Sequence, residues 1–350
     1  EYNFDPVPGG RVVDAPHRVR VRARRVAGAE ASLRLDLVYL VPESLTPGRD
    51  ARSERRVALP VRLEMRLFAG LDRVDVDATV GNAARDHRLR LHLRAPFRVR
   101  RFEVESAFEI AERPIEPEPD AFGAERPSEF PIGAGPQRRF ATAVGEDGLA
   151  LTVANRGLAE VEALRVAGPS AATDVAVTIL RAVGWLARGD LRLRPGPAGP
   201  ILPTPGAQGL GSHRCELSLR LHRAADARRT LEAHAFADPP LAFPVGEGGA
   251  GPLGDGARLL ELEDPHVSVS ALAPLESGAV ELRLVRLADE GGACALCWHG
   301  APGDVLTAVD LAGRRREHRG VETLDGVADG SSVRLGPWEI LTLRAGSPLL

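Results

Sequence analysis

The residues best suited to metal or redox chemistry lie in the stretch ACALCWH, residues 293–299. Cys294 and Cys297 form a C-x-x-C pair, and His299 follows two residues later. Two thiols beside an imidazole can bind zinc or exchange a disulfide. The flanking sequence, however, is typical of a β-strand, in which positions i and i+3 point to opposite faces. Zinc also needs four ligands, and no second Cys/His pair stands at a suitable spacing, so we expect small buried side chains here.

Other catalytic motifs are missing from their expected contexts. No nucleophile elbow, H-E-x-x-H, phosphate-binding loop or dinucleotide-binding loop occurs where its mechanism would need it. Asp75 and Asp77 are two residues apart and would share one strand face, but a charged solvated face explains them more simply than a catalytic dyad. We therefore predict no catalytic residue and no metal ligand in this chain.

The stretch DHRLRLHLRAPFRVRR, residues 86–101, suggests nucleic-acid binding at first sight. From Arg88 to Arg94, however, basic residues alternate strictly with leucines. This period of two predicts a strand whose leucines face a core and whose basic side chains form a solvated or acid-paired face. The chain carries 45 basic and 48 acidic residues, a net charge near −3, whereas nucleic-acid binders usually have a positive excess. We expect no nucleic-acid partner.

Alternation of the same kind recurs along the chain and predicts an all-β protein. Helical periodicity is confined to a short piece near residues 226–236, and no apolar run reaches the length of a membrane span. The Pro-rich stretches at 111–137 and 195–211 are predicted surface loops. We predict a large antiparallel β-sandwich (a supersandwich) over residues 1–238, a linker over 239–256, and a smaller β-sandwich over 257–350. The predicted strands cover residues 17–26, 32–41, 58–68, 73–80, 216–222, 266–272, 279–287 and 332–345.

Five segments, in order, carry a resemblance to a known family. They are EYNFDPVPGG (1–10), LDRVDVDATVGNAARDHRLRL (71–91), GLALTVANRGLAEVEAL (148–164), TILRAVGWLARGDLRLRPGPAGPILPTPGAQGLGSHRCELSL (178–218), and the terminal pair VSALAPLESGAVELRLVRLADE and VRLGPWEILTLRA. Together they resemble the C-terminal β region of glycoside hydrolase family 38, the retaining α-mannosidases, particularly bacterial enzymes of the mannosylglycerate-hydrolase type.

The resemblance implies that the catalytic machinery lies elsewhere. In the family an N-terminal α/β domain carries the nucleophile, the acid/base and the zinc. The present chain begins at Glu1 rather than Met, so we expect a piece of a longer protein that is inactive alone. The implied partners are that catalytic domain and a mannoside or mannosylglycerate-type substrate. A cytoplasmic bacterial location is expected, and a homo-oligomer is left open.

Two points of the family's β region reach the sugar pocket, and both have matches here. The junction tyrosine matches Tyr2, whose phenol offers a donor and an acceptor. The arginine of the N-R-G loop matches Arg156, next to Asn155, and its guanidinium can make forked bonds to carboxylates and sugar oxygens. We predict Tyr2, Arg156 and Asn155 as substrate-binding residues.

Several neighbouring residues receive weaker assignments. Thr204 and Gln208 of TPGAQ are further loop candidates, with bracing of the sandwich as the alternative. Asp86 and Arg88 are expected to tie a strand start to its neighbour. AEVE at 159–162 lacks an aromatic residue that the family has there, which implies a different substrate preference.

Two other interpretations stay open from sequence alone. The chain could be a free-standing carbohydrate-binding or interaction module, in which exposed aromatic rings on one flat face would stack on sugars. The gene could also be split, with the two halves assembling as separate chains. A large apolar patch where a catalytic domain docks would favour either version of the enzyme interpretation.

Overall fold

The computed structural model describes residues 4–8, 10, 12–26, 28–115, 132–166, 172–194, 196–244, 256–300, 304–316 and 331–346. Within them, antiparallel strands dominate, and the only α-helix, α1, spans Arg229–Ala237. The all-β prediction and the short helix are therefore confirmed. No helix among the described residues has the length and apolarity required to cross a membrane.

The first thirteen strands build two antiparallel sheets. One has nine strands in the order β1-β2-β3-β4-β13-β10-β9-β6-β7, and the other has four in the order β5-β12-β11-β8. A 3-10 helix over Pro205–Gln208 precedes β13. The strands are β1 Arg18–Val26, β2 Glu30–Pro42, β3 Arg56–Phe68, β4 Val74–Asn82, β5 Arg88–Arg94, β6 Val99–Ser106, β7 Glu109–Arg113, β8 Gly135–Pro136, β9 Phe140–Gly145, β10 Leu149–Asn155, β11 Glu160–Arg165, β12 Thr173–Arg181 and β13 Gly211–Arg223.

These two sheets enclose the larger core. Val76, Phe102 and Val153 of the nine-stranded sheet pack in one buried cluster with Val161 and Val177 of the four-stranded sheet. Strands such as β4 alternate in burial, as the sequence pattern requires, whereas β10 and most of β12 are buried along both faces.

Seven further strands form a second sandwich. A three-stranded sheet (β14-β17-β19) packs on a four-stranded sheet (β15-β16-β20-β18), and Leu282, Leu343, Leu296 and Val333 fill the core between them. The strands are β14 Leu260–Leu262, β15 Val267–Pro274, β16 Val280–Arg286, β17 Gly292–Trp298, β18 Val305–Val309, β19 Ser331–Leu335 and β20 Ile340–Gly346.

The prediction of a single strand over residues 332–345 is wrong, because this stretch forms two strands, β19 and β20. A turn separates them at Trp338, whose φ of 55° lies in the left-handed region. The two strands lie in different sheets of the second sandwich.

Contacts divide the described chain into two compact units. The first unit ends at Asp226 and leaves out Ser106–Ile110. The second unit consists of Ser106–Ile110 and the residues from Ala227 onward. The helix α1 therefore belongs to the second unit. The predicted boundaries at 238 and 257 remain a prediction.

Candidate functional site

The N-R-G loop begins where β10 ends, and Asn155 holds it in place. The Asn155 side chain is fully buried. Its Nδ2 donates to the carbonyl of Arg139 at 3.1 Å, and its Oδ1 accepts from the backbone N–H of Leu158 at 2.7 Å. Gly157 has a φ of 82°, a left-handed conformation in which glycine is favoured. Asn155 therefore positions the loop, and its amide is engaged within the chain.

Arg156 projects from this loop with its side chain 34% exposed. Its backbone N–H donates to the carbonyl of Glu216 at 3.2 Å, and its guanidinium bonds the Glu216 carboxylate. Glu216 also accepts from Arg214 at 2.8 Å, and Arg214 pairs with Asp77. These side chains form a charged row on the polar face of the nine-stranded sheet, with Arg156 at one end.

Within the charged row, Asp77 acts as an ion-pair partner. Arg214 bonds Asp77 directly and Arg66 lies 3.9 Å from it, while Asp75 accepts from Arg73 at 2.9 Å. The two carboxylates thus each have arginine neighbours, which agrees with a charged face and not with a catalytic dyad.

Tyr2 lies outside the described residues, and the described part of the junction segment starts at Phe4. The Phe4 ring centroid is 5.1 Å from the Arg88 guanidinium carbon, a cation–π contact. The carboxylate of Asp5 is 4% exposed and accepts from the Arg192 backbone N–H at 2.6 Å and from its guanidinium at 2.9 Å. The segment that follows Tyr2 is therefore anchored to the first unit.

The basic face of β5 is paired with acids, which confirms the prediction made from its alternation. Arg90 bonds Glu162, Arg88 lies 3.4 Å from Glu160, and Arg94 donates to Asp174 at 2.8 Å. Burial alone would raise the pKa of Asp174, but the bonds from Arg94 and His92 outweigh it and hold that pKa below its usual range. Glu160 and Glu162 belong to the AEVE segment, and sequence reasoning had not found this role for them.

A second buried group joins TPGAQ to the start of β5. Gln208 Oε1 accepts from the Asp86 backbone N–H, and Gln208 Nε2 donates to the Asp86 carboxylate, both at 2.8 Å. Asn82 Nδ2 donates to the carbonyls of Gln208 and Gly209 at 3.1 and 2.9 Å. Asp86 has a φ of 53°, so its backbone needs this support. We call these residues the Gln208 bracket.

The bracket gives Asp86 the structural role expected of it, and it gives Gln208 the bracing role that was the alternative to a binding role. Arg88 lies beside it, paired with Glu160 as described above. Thr204 contributes a backbone bond from its N–H to the carbonyl of Gly184 at 2.8 Å. His87 is partly buried against the bracket, and this loss of solvent, reinforced by the nearby Arg52 charge, lowers the pKa of its imidazole to about 4.

A concave apolar surface lies beside the bracket, inside the first unit. Apolar side chains of β2 and β3 form one wall of a cleft of about 900 Å³, whereas β5, with its arginine and histidine side chains, and residues 4–7 line the other side. Pairing puts Leu35 opposite Leu63, Leu37 opposite Val61 and Tyr39 opposite Leu59, so their side chains share one face. Sequence reasoning treated these positions as ordinary core.

The C-x-x-C pair falls on β17 as predicted. Cys294 is buried in the second core while Cys297 is partly exposed, because the two thiols face opposite sides of the strand. Cys297 Sγ lies 4.0 Å from His299 Nδ1. No group of three or more His, Cys, Asp or Glu side chains within the described ranges is arranged to hold a metal ion. The zinc of the resembling family therefore does not fit the residues that the structure describes.

Comparisons with known proteins give relatives that are much longer than this chain. No family model matches the sequence. The "Putative mannosylglycerate hydrolase" of Halalkalibacterium halodurans is 30% identical over 243 residues, which are 66% of this chain and 23% of that protein. An α-mannosidase from Enterococcus faecalis matches the structure with a TM-score of 0.73 and 20% identity, over 93% of this chain and 35% of that one.

A second solved structure agrees. A glycosyl hydrolase family 38 protein, also from Enterococcus faecalis, matches with a TM-score of 0.72 and 19% identity, over 93% of this chain and 36% of that one. The chain therefore spans about a quarter of the curated relative and about a third of the solved structures that it matches.

Proposed function

We propose that this chain, which resembles part of the matched α-mannosidases, is the C-terminal β-sandwich portion of a glycoside hydrolase family 38 α-mannosidase. It braces a catalytic domain and completes the sugar pocket. The observation that carries the proposal is coverage, because 93% of this chain finds its fold within 35% of an α-mannosidase. The remaining length of that enzyme is where the proposal assigns the nucleophile and the zinc.

The apolar cleft supports docking of a further domain. On β1, which lies beside β2, Val19 and Val21 are 52% and 57% exposed, and Leu33 and Leu67 continue the same face with partial exposure. Apolar faces of this extent usually mark interaction sites. We assign the cleft and the part of this face on β2 and β3, with Leu33 and Leu67, to the catalytic domain of the same protein.

Arg156 supports a contact with the substrate. Its side chain is 34% exposed at one end of the charged row, and a guanidinium can make forked hydrogen bonds to hydroxyls and carboxylates. Glu216 orients it, and Asn155 fixes the loop from which it extends. We propose that Arg156 bonds sugar hydroxyls or a substrate carboxylate, such as that of a mannosylglycerate-type compound, while Tyr2 supplies a phenol to the same pocket.

Hydrolysis would then follow the retaining route on the other domain, with a covalent glycosyl-enzyme intermediate. The contribution of this chain is to bind and orient the sugar and to exclude water from one side of the pocket. A cytoplasmic bacterial location accompanies the proposal.

The free-standing carbohydrate-binding module is less well supported. Trp298 is buried in the second core, and the Trp185 ring is covered by the Arg188 guanidinium, whose carbon lies 4.8 Å from the ring centroid. Rings in these positions are not set out as a flat platform for a sugar.

The test compares the chain alone with the longer enzyme that the proposal requires. An aryl α-mannoside assay is expected to show no turnover by residues 1–350 alone and turnover when the catalytic portion is present. Turnover by the isolated chain, or none by the longer protein, would overturn the proposal.

The role of Arg156 is tested in the active longer protein. Arg156→Ala is expected to raise KM roughly 10-fold or more, since a charged hydrogen bond is worth about 1.5–3 kcal/mol. Arg138→Ala is the control, because Arg138 is also an exposed arginine of the first unit. Equal KM values for the two variants would remove Arg156 from the pocket.

Docking through the apolar face is tested by co-purification of this chain with the catalytic portion. A Leu33→Asp, Leu67→Asp double variant is expected to lose co-purification. The matched control, a Leu231→Asp, Leu272→Asp double variant at two exposed leucines of the second unit, is expected to keep it. If both variants bind equally, this face is not the docking surface.

A further inference from the structure

Strand β1 carries an arginine row that the proposed enzyme function does not use. In RVRVRARRV the arginines at 18, 20, 22 and 24 alternate with apolar residues, and all four are exposed. Because successive side chains point to opposite faces, the four arginines lie on one face, about 6.8 Å apart along the strand. We call these four residues the arginine row.

The arginine row has no acidic partner of its own. In the part of the chain that the structure describes, none of its members forms an ion pair, whereas the arginines of β5 are paired with carboxylates. The carboxylate of Asp36 faces the row from β2, but it already bonds Arg34 at 3.1 Å and Arg62 at 2.9 Å. Across β2, the row faces Val38, Asp36, Arg34 and Ser32 in turn.

Strand β1 is an edge strand of the nine-stranded sheet, so one of its backbone edges pairs with no other strand within the described residues. Its opposite face carries Val19 and Val21, both more than half exposed. Three features therefore coincide on one strand: an open backbone edge, a cationic face and an apolar face.

We propose that the β1 edge binds an extended segment of another protein in which acidic and apolar residues alternate. Such a segment would add a strand to the sheet, place its carboxylates beside the arginine row and lay its apolar residues beside Val19 and Val21. A polyanion such as a nucleic acid would use the arginine row but neither the backbone edge nor the valines.

The arginine row also excludes a competing partner. A second copy of β1 pairing at this edge would place arginines against arginines, and such like-charge contacts are destabilising. The same charges that repel a second copy attract an acidic strand, so the edge selects its partner by repulsion as well as by attraction.

The probe is a capped, fluorescent eight-residue peptide of four Glu-Val repeats, and its binding to the full chain is measured by anisotropy. Changing Arg18, Arg20, Arg22 and Arg24 to glutamine removes four surface ion pairs with the peptide. Because each pair contributes weakly but the four add, we expect binding to weaken by at least about 10-fold. The control variant changes Arg98, Arg100, Arg138 and Arg223 to glutamine, four exposed arginines outside β1, with the same change in net charge.

Two further peptides separate strand addition from simple charge attraction. A peptide N-methylated at every residue keeps its charges but loses all the N–H donors that a paired strand needs, and it is expected to bind at least about 10-fold more weakly. A Lys-Val peptide is expected not to bind. Amide exchange in residues 18–24 should slow when the Glu-Val peptide is present.

Three outcomes would overturn the proposal. Equal losses in the arginine-row and control variants would mean that net charge alone drives binding. Undiminished binding of the N-methylated peptide would identify an electrostatic surface for polyanions. Absence of Glu-Val binding at millimolar peptide would exclude this partner class.

Discussion

The Gln208 bracket should be among the most costly polar groups to remove from the first unit. Gln208→Ala deletes the side chain that bonds Asp86 twice, once at its backbone N–H and once at its carboxylate, each at 2.8 Å. Gln208 is buried, and Asp86 holds a left-handed backbone conformation that the bracket stabilises. The change leaves one amide and one carboxylate oxygen of Asp86 without these partners.

The expected cost follows from these two bonds. A neutral hydrogen bond contributes about 1 kcal/mol and one to a charged group about 1.5–3 kcal/mol, and the space left by the shortened side chain adds roughly 1 kcal/mol. The opening free energy around β5 and the start of β13 should therefore fall by about 3–5 kcal/mol. Amide hydrogen exchange by mass spectrometry measures this locally, without a single unfolding transition for the two-unit chain.

Gln137→Ala is the matched control. Gln137 is also a buried glutamine, but its side chain makes a single hydrogen bond, from Nε2 to the carbonyl of Leu158 at 2.9 Å, and its Oε1 has no partner among the described residues. Its removal should cost only about 1–2 kcal/mol. A Gln208→Ala loss no larger than the Gln137→Ala loss would refute the bracket's importance.

Gln208→Glu tests the same geometry through pH. A carboxylate at 208 would face the Asp86 carboxylate, and this like charge would raise the pKa of one of the two in the folded state. A carboxyl whose folded pKa is raised binds more protons folded than unfolded, so stability falls as pH rises through that pKa. The deficit against wild type should be large at pH 7 and shrink toward pH 4, with exchange corrected for its intrinsic pH dependence. A deficit independent of pH would contradict the geometry.

Three further predictions concern other described groups. His87 is partly buried and has a pKa of about 4, so the stability it contributes is present above about pH 6.5 and is lost as pH falls toward 4. His87→Gln should flatten that slope in unfolding titrations. Glu162→Gln should cost about 1–2 kcal/mol of unfolding free energy because it unpairs partly buried arginines, whereas Glu146→Gln, at an exposed pair, should change it by less than about 0.5 kcal/mol. Burial raises the pKa of the Cys215 thiol to about 11, so iodoacetamide at pH 8 should alkylate partly exposed Cys297 first, as peptide mass mapping would show.

Local alternation predicted many of the strands, among them β2, β5 and β13, because the pattern of side chains within one strand is a property of that strand alone. It did not predict β9 and β10, which are buried on both faces and so show no alternation. The β5 segment shows how far this reaches. Its paired basic face followed from R-L-R-L-H-L-R, but the partners Glu160, Glu162 and Asp174 lie some 70 to 80 positions away. No local pattern specifies which distant strand supplies an acid, since that depends on sheet order.

The candidate site was predicted less completely. Arg156 is partly exposed, as a binding residue requires, whereas Asn155 is buried with its amide engaged in the loop. A signal for this was present, because an asparagine at a turn commonly hydrogen-bonds the backbone of its own turn. The apolar cleft was missed because alternation says which side chains share a face, but not whether another sheet covers that face.

The position of β13 has a consequence for how the protein is made. β13, the last strand to join the nine-stranded sheet, pairs with β4 on one side and β10 on the other. Until residues up to Arg223 have been synthesised, β4 and β10 each lack the neighbour that β13 provides. We expect two partial sheets with unpaired strand edges at that stage. We expect synthesis to pass through an aggregation-prone stage that depends on chaperones, and refolding to be slow, since the closing contacts are so distant in sequence.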